Sequence, residues 1–584
     1  MAARMLALTV AYSLLVAAPD LSTTAERTGF AETGPYDEAV RLCHAFEATF
    51  PGKARCSDFG TTPEGRPMVA LVVSADGALS PDQAREKSRP AVLIQGGIHA
   101  GEIEGKDAGF SLFREMLRGK AIPDALAHVT VVFVPVFNID GHERVSAFNR
   151  PNQNGPKTMG WRVTAQNLNL NRDYVKADAP EMRAMLRLLQ AWDPILIVDL
   201  HTTDGAKFQH DVSVLLEPKL AGPPRLRSIG AALTADVVKE LTAEKHLPIG
   251  DFYPSFVSDN DPASGFAAGV APPRFSQDYW AYHNRFGVLV ETHSWKTYAQ
   301  RVRATRDVLA SLLQHAARDG GSWVVAAHEA DKQAETAPPQ QVVLAWQTGK
   351  RSVPYAFQGV AYSRVLSEVS GGLWTRFDDS KPETWNVPFF PDVEPALTVQ
   401  EPGAGYLVPA ALAQRVSERL ALHGVKSTAI DHAQTLPVEV FRATEARFSP
   451  EPFEGHTRLA VKGAWAPETR TLAKGSLFVP IGQAERALLE QILEPNAPDS
   501  LCAWGELNAY FEQKEFMEDY VEEELARKMM AQDPKLAEKF RARVAAEPEF
   551  AKSPHARLDF FYRASPYWDE RVNLYPIFRT ARAP

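Results

Sequence analysis

A histidine and a glutamate three residues apart raise the first question of chemistry. In "AVLIQGGIHAGEIEG" (91–105), His99 and Glu102 follow an apolar run that ends at Gln95. Gly96 and Gly97 permit a tight exit from that run. Both side chains then sit on one short turn, where a single ion can bind both. Zinc accepts imidazole nitrogen and carboxylate oxygen at roughly 2.0–2.2 Å, and a catalytic zinc keeps three protein ligands with one position open for water. The pair alone is equally well read as polar decoration of a strand-to-helix turn, so a third ligand has to come from elsewhere.

"PILIVDLHTTDG" supplies one: His201 directly follows the apolar run 195–200. In open α/β sheets, sites gather at the carboxyl ends of strands, and His99 and His201 both lie just past such ends. Asp199 or Asp204 can orient an imidazole from behind, or serve as turn residues. "GVLVETHSWK" (287–296) brings Glu291 to the end of another apolar run. A carboxylate is costly to bury there without a task or a partner. Beside a metal it can take a proton from water and return it to a leaving amine. A salt bridge to Lys296 or Arg301 is the plain alternative. His293 rivals His201 as a ligand, but it lies beyond the base on the same strand exit. Finally, "MGWRVTAQNLNLNRDY" (159–174) is dense in asparagine and carries Arg162 and Arg172. An arginine binds a carboxylate through two parallel hydrogen bonds. Asn171 and Arg172 are therefore candidates to hold a free substrate carboxylate, the mark of an exopeptidase. Otherwise the asparagines cap turns of a structural loop.

The elements that must position these residues are legible in the patterning. "MVALVV" (68–73), "AVLIQ" (91–95), "VTVVFVPV" (129–136), "ILIVDL" (195–200) and "GVLVE" (287–291) are nearly continuous apolar runs. Such runs predict strands buried on both faces of a sheet. Between them, 105–117, 179–192 and 226–245 have helical apolar spacing, and a further helix from residue 300 is expected to stop at the glycines near 320. The whole predicts an α/β domain with helices on both sheet faces. "ETAPPQQ" (335–341) reads as a linker, after which the chain turns irregular and strand-rich, then largely helical. The expected division is a leader at 1–25, a catalytic domain at 26–335 and an accessory region at 336–584.

The set His99-x-x-Glu102, Asn171–Arg172, His201 and Glu291 resembles, in order and in kind, that of the carboxypeptidase A-like zinc metallocarboxypeptidases. "PVFNIDGHER" (135–144) is similar to the family's Asn-Pro-Asp-Gly stretch, with isoleucine in place of proline, and "APEM" (179–182) to its Pro-Glu segment. The resemblance covers roughly residues 60–300. It implies that one zinc is bound by His99, Glu102 and His201, that Glu291 is the general base and acid, and that Asn171 and Arg172 hold the terminal carboxylate. It further implies that Arg162 polarises the scissile carbonyl. The implied fold is a mixed, mostly parallel sheet of about eight strands sandwiched by helices, here with a C-terminal α+β extension. The family's mobile tyrosine has no clear match, since Tyr279 and Tyr282 lie close to Glu291. The implied substrates are peptides with a free C-terminal carboxylate.

Two other readings stand beside this one. A zinc amidase or deacylase could act on cell-wall stem peptides or acyl-amino acids, and a non-catalytic zinc-binding protein could use the same scaffold. No GxSxG occurs, and neither "GHERVS" nor "AHEADK" completes an HExxH. The 584 residues carry a net charge of −9 and no long basic run, which gives no electrostatic support to nucleic-acid binding. With 45% apolar and 23% charged residues the composition is that of a soluble globular protein. Arg4 followed by the apolar stretch 5–18 has the form of a secretory signal, too short for a stable membrane span, and implies a periplasmic or secreted protein. Of three cysteines, Cys43 and Cys56 either pair or remain buried thiols.

Overall fold

A computed structural model describes residues 19–203 and 205–584. Its strands in chain order are β1 (Ala54–Thr61), β2 (Pro67–Val73), β3 (Ala91–Gly96), β4 (Thr130–Val134), β5 (Leu196–Thr202), β6 (Val212–Glu217), β7 (Pro248–Ile249), β8 (Phe266–Ala267) and β9 (Phe286–Thr292). All but β8 join one eight-stranded sheet in the order β1-β2-β4-β3-β5-β9-β6-β7. The centre, β4-β3-β5-β9, is parallel. The antiparallel pairings lie outside it: β1 with β2, β2 with β4, and β6 with β9. All residues of β3, β4, β5 and β9 are buried, so helices cover both faces, as their unbroken apolar runs require.

The helices Glu104–Leu117, Pro180–Trp192 and Pro224–Ala243 fall where apolar spacing predicts them. The expected glycine stop near 320 does not occur. The helix Tyr298–Thr336 runs through it, because its apolar stripe continues as Trp323, Ala326, Ala327 and Ala330, all buried. A Cβ on Gly320 would lie 3.2 Å from Pro90 Cβ, so there the missing side chain serves close packing rather than termination. Strands β1 and β6 were not anticipated. β1 is mostly polar and half-exposed, whereas β6 is a short, largely buried run that pairs antiparallel with β9.

Cys43 and Cys56 form a disulfide, with Cα atoms 5.3 Å apart, and Cys502 is a buried free thiol. The expected leader lies outside the described residues as far as 18; beyond that, Leu21, Thr23 and Ala25 are buried, and Thr23 caps the helix Thr24–Arg27. Among the described residues, no helix is long and apolar enough to cross a membrane.

Past Thr336 come β10 (Gln341–Thr348), β11 (Val353–Leu366), β12 (Leu373–Phe390) and β13 (Val393–Gln400), then a six-stranded sheet and a group of helices between Asp519 and Arg563. β11 and β12 form a long hairpin, and β12 pairs in parallel with β8 through Phe389↔Phe266 and Phe390↔Ala267. Phe208, Phe252 and Phe266 pack with Phe357, Trp385 and Phe389 of the hairpin in one apolar cluster. The accessory region thus shares a core with the segments that border the strand ends.

Candidate metal and substrate site

The central strands deliver the candidate residues to one place. Leaving β3, Gly97 adopts φ +63°, where other residues are strained, and a Cβ on Gly96 would come 2.9 Å from Pro135 O. The chain then makes a tight turn closed by Glu102 N–H donating to His99 O at 2.9 Å. Gly105 lets the next helix start against β5, where a Cβ would meet the Leu200 side chain at 2.7 Å. That close approach brings the turn beside the end of β5. In the β5–β9 ladder His201 lies directly opposite Glu291, so the two side chains share a face of the sheet at its carboxyl edge.

His99, Glu102 and His201 are buried, and one ligating atom from each lies within 4.8 Å of the others. His201 Nδ1 is 2.9 Å from Glu102 Oε2, and His99 Nδ1 is 3.1 Å from Glu102 Oε1. The other ring nitrogens are already engaged: His201 Nε2 bonds Asp199 Oδ2 at 2.8 Å, and His99 Nε2 bonds Asn169 Oδ1 at 3.2 Å. If those nitrogens carry the protons, each Nδ1 aims a lone pair at a carboxylate oxygen. Two lone pairs so close repel unless a proton or a cation lies between them. His99 Nδ1 has no hydrogen-bond partner despite complete burial, as a metal-binding nitrogen would. The donor set therefore fits a divalent metal of the zinc type.

The surroundings hold these groups in place. Burial drives the His99 pKa down to about 4, favouring the neutral ring. Burial opposes charge on His201 as well, but Asp199 outweighs it and holds the pKa well above the usual range. Asp199 is held in turn by Ser276 Oγ at 2.5 Å. Burial also acts to raise the Glu102 pKa, yet the Arg150 guanidinium at 2.9 Å and the two imidazoles keep it well below the ordinary carboxylate range. Arg162 adds a second guanidinium 3.3 Å from Glu102 Oε1, and Thr202 N–H donates to Oε2 at 3.0 Å.

His99, Arg162, Asn171, Arg172 and Glu291 all line one cleft of about 460 Å³. Asn171 is buried, its Oδ1 has no partner, and its N–H donates to Asn169 Oδ1 at 3.1 Å. Asn169 thus bridges the candidate carboxylate clamp and His99. The Arg172 guanidinium lies over Phe275, with its carbon 4.4 Å from the ring centroid, and donates to Asn171 O at 2.7 Å. The 135–144 stretch supports the Arg162 loop from below: Asn138 Nδ2 donates to Arg162 O at 3.0 Å, and Trp161 N–H to Gly141 O at 2.7 Å.

Several residues sort differently from expectation. His293 turns away from the cleft and stacks on Phe208 with centroids 3.8 Å apart. Tyr279 is buried with its hydroxyl 2.9 Å from His423 Nδ1, and half-buried Tyr282 accepts from Gln491 Nε2 at 3.2 Å; neither lines the cleft, whereas Tyr253 does. Glu104, which by its position either faces solvent or supports the start of the next helix, opens the helix Glu104–Leu117 and is fully buried. It accepts from Thr202 and Thr292 and has Arg301 Nε at 3.7 Å. Asp204 lies outside the described residues. The supporting residues Arg150, Asn169 and Ser276 gave no sequence signal beyond the polar density around them. Asp278, also on the cleft wall, has a pKa raised well above normal by burial and by nearby Glu217.

Comparison with known proteins bears on this geometry. A family model described as zinc carboxypeptidase matches residues 39–211. This segment is similar to that family. It contains His99, Glu102, Arg162, Asn171, Arg172 and His201, and it ends before Glu291. Carboxypeptidase D of Homo sapiens is 27% identical over 190 residues, which are 27% of this chain and 14% of that protein. The chain thus spans only about a seventh of that relative's length. Similar solved structures include a metallo-carboxypeptidase from Burkholderia cenocepacia, with 18% identity, TM-score 0.36, and coverage of 48% of this chain and 69% of that one. Another is carboxypeptidase A from Helicoverpa armigera, with 15% identity, TM-score 0.37, and coverage of 52% and 75%.

Proposed function

We propose that the protein is a zinc-dependent carboxypeptidase that removes the C-terminal residue of peptides. The observation that carries this reading is that a buried His-Glu-His donor set reaches, through His99, a cleft also lined by buried Asn171, half-buried Arg172 and Glu291. His99, Glu102 and His201 would hold the metal, which when bound supplies Lewis acidity toward water and the scissile carbonyl. Arg172 and Asn171 hold the substrate's free carboxylate, the first by a charge-assisted fork and the second through its amide N–H. This fixes which peptide bond is attacked. Glu291 accepts a proton from the attacking water and delivers it to the departing amine. Arg162, now turned to Glu102, is within reach of the same opening and offers N–H donors to the developing oxyanion.

An exported location is part of the proposal. It rests on the signal-like N-terminal pattern and on the Cys43–Cys56 disulfide, which suits an oxidising compartment.

The test is metal analysis together with a substrate panel. The purified protein should carry about one zinc per chain, and chelation should abolish release of a C-terminal residue from blocked dipeptides. Amidating the substrate's carboxylate should abolish turnover as well. Turnover of acyl-amino acids or stem peptides with none of the peptides would overturn the carboxypeptidase reading.

A further inference from the structure

A second depression adjoins the cleft. It is a groove of about 900 Å³, and Tyr253 lines both it and the cleft. One wall contains Gly205 and Ala206, only a few residues past His201 on the same strand exit. The other wall is the tip of the β11–β12 hairpin, from the accessory region. There Val369, Leu373 and Trp374 expose 92%, 56% and 55% of their surfaces. A cluster of large apolar side chains held in water at one edge of a cleft marks a contact surface.

The hairpin is fixed rather than free. Its base is joined to the strand-end segments by the β8–β12 pairing and by Phe357 against Phe208, with ring centroids 5.3 Å apart. Lys207 Nζ also reaches Asp379 at 2.8 Å, and Trp295 Nε1 donates to Gly205 O at 2.9 Å, tying down the opposite wall. The groove is thus a preformed feature of the folded chain, and it costs little to organise when a ligand enters.

We infer that this groove binds the upstream part of the same peptide substrate, so that the accessory hairpin makes the enzyme select peptides with apolar or aromatic residues several positions before the cleaved bond. The inference rests on the carboxypeptidase reading of the adjoining cleft. A peptide with its terminal carboxylate at Asn171 and Arg172 and its last peptide bond beside His99, Glu102 and His201 has only its upstream chain left to place. The groove includes Gly205 and Ala206, a few residues past His201, and shares Tyr253 with the cleft, so the two adjoin at that side chain. Trp374 and Leu373 offer broad contact at low entropic cost, and they bury apolar side chains best.

The experiment compares kcat/KM for a blocked dipeptide with that for a series ending in the same dipeptide and lengthened stepwise to eight residues, with phenylalanine or with serine at the upstream positions. The expected result is a rise of about ten-fold or more in kcat/KM, carried by KM, at the length where the phenylalanines reach the groove. The serine series should rise less. In Trp374→Ala, and separately in Leu373→Ser, the long-to-short ratio for the phenylalanine series should fall by about ten-fold. Both sites are exposed, so the variants should fold.

A flat length series in an enzyme that cleaves the dipeptide overturns the inference and leaves the carboxypeptidase reading intact. No turnover of any peptide by the metal-loaded wild type overturns both. If Trp374→Ala leaves the ratio unchanged but converts a dimer to a monomer in sedimentation, the groove is a self-interface and the inference fails.

Discussion

The cleft and the groove beside it are built on opposite plans. At the strand ends, His99, Glu102, His201 and Asp199 are buried, and each is held by named hydrogen bonds or ion pairs a few ångströms away. At the hairpin, Val369, Leu373 and Trp374 stand in solvent on a long antiparallel ribbon. The first arrangement suits chemistry: groups that must act on a bond have to be oriented before the substrate arrives, and a water-poor site strengthens their electrostatics. The second suits recognition of variable chains, where broad apolar contact matters more than exact placement of charge. The difference also predicts where mutations are tolerated. Changes at the strand ends should damage metal binding, stability or rate, whereas changes at the hairpin should alter only the preference among substrates.

The sharpest way to break this contrast is at the two carboxylates of one turn. Glu102→Ala should lose the metal outright, measured by elemental analysis of purified protein. Glu104→Gln, two residues on, should keep it, since Glu104 accepts from Thr202 and Thr292 and faces Arg301 at 3.7 Å instead. Its cost should appear as stability: breaking a buried charged contact is worth about 3–5 kcal/mol in a denaturant titration. Equal metal loss in both variants would contradict the division of labour within the turn.

The next effect should fall on rate. Glu291→Gln should retain metal while kcat falls about 10³-fold, the scale of a lost general base; full activity with metal bound would remove Glu291 from the mechanism. A smaller loss, about 10²-fold in kcat/KM, is expected for Arg172→Met, and the preference for free over amidated substrate should nearly vanish in that variant. An undiminished preference for the free carboxylate would assign the clamp to other residues.

The smallest expected effect concerns pH and lies away from both regions. Glu181 is fully buried, neither carboxylate oxygen has a partner, and burial lifts its pKa to about 7. The unfolded value is about 4.3, so between these limits the folded chain binds the proton more tightly. Stability should therefore fall as pH rises through that window and level off above it. Glu181→Gln should flatten the fall and raise stability at pH 8 by about 3 kcal/mol relative to pH 4. A Tm difference that is the same at both pH values would show that Glu181 does not carry this titration.

What was legible beforehand follows the same contrast. The parallel centre of the sheet was readable because strands buried on both faces are apolar without interruption. The positions of His99, His201 and Glu291 followed, because each comes directly after such a run. The glycines near 320 misled because backbone permissiveness and close packing leave the same mark in a sequence. The burial of Glu104 was not legible because its partners Thr292 and Arg301 lie nearly two hundred residues away.

Residue types and their placement after apolar runs, which are local properties, determined the candidates for chemistry: a His-Glu-His donor set, a carboxylate at a strand end and an Asn-Arg pair. Only the tertiary structure decided how that chemistry is supported and what surrounds it. Arg150 reached Glu102, Asn169 joined the clamp to His99, and the accessory hairpin became a wall beside the cleft. These are pairings between distant segments, fixed by packing the whole chain around shared cores, and no short stretch of sequence encodes them.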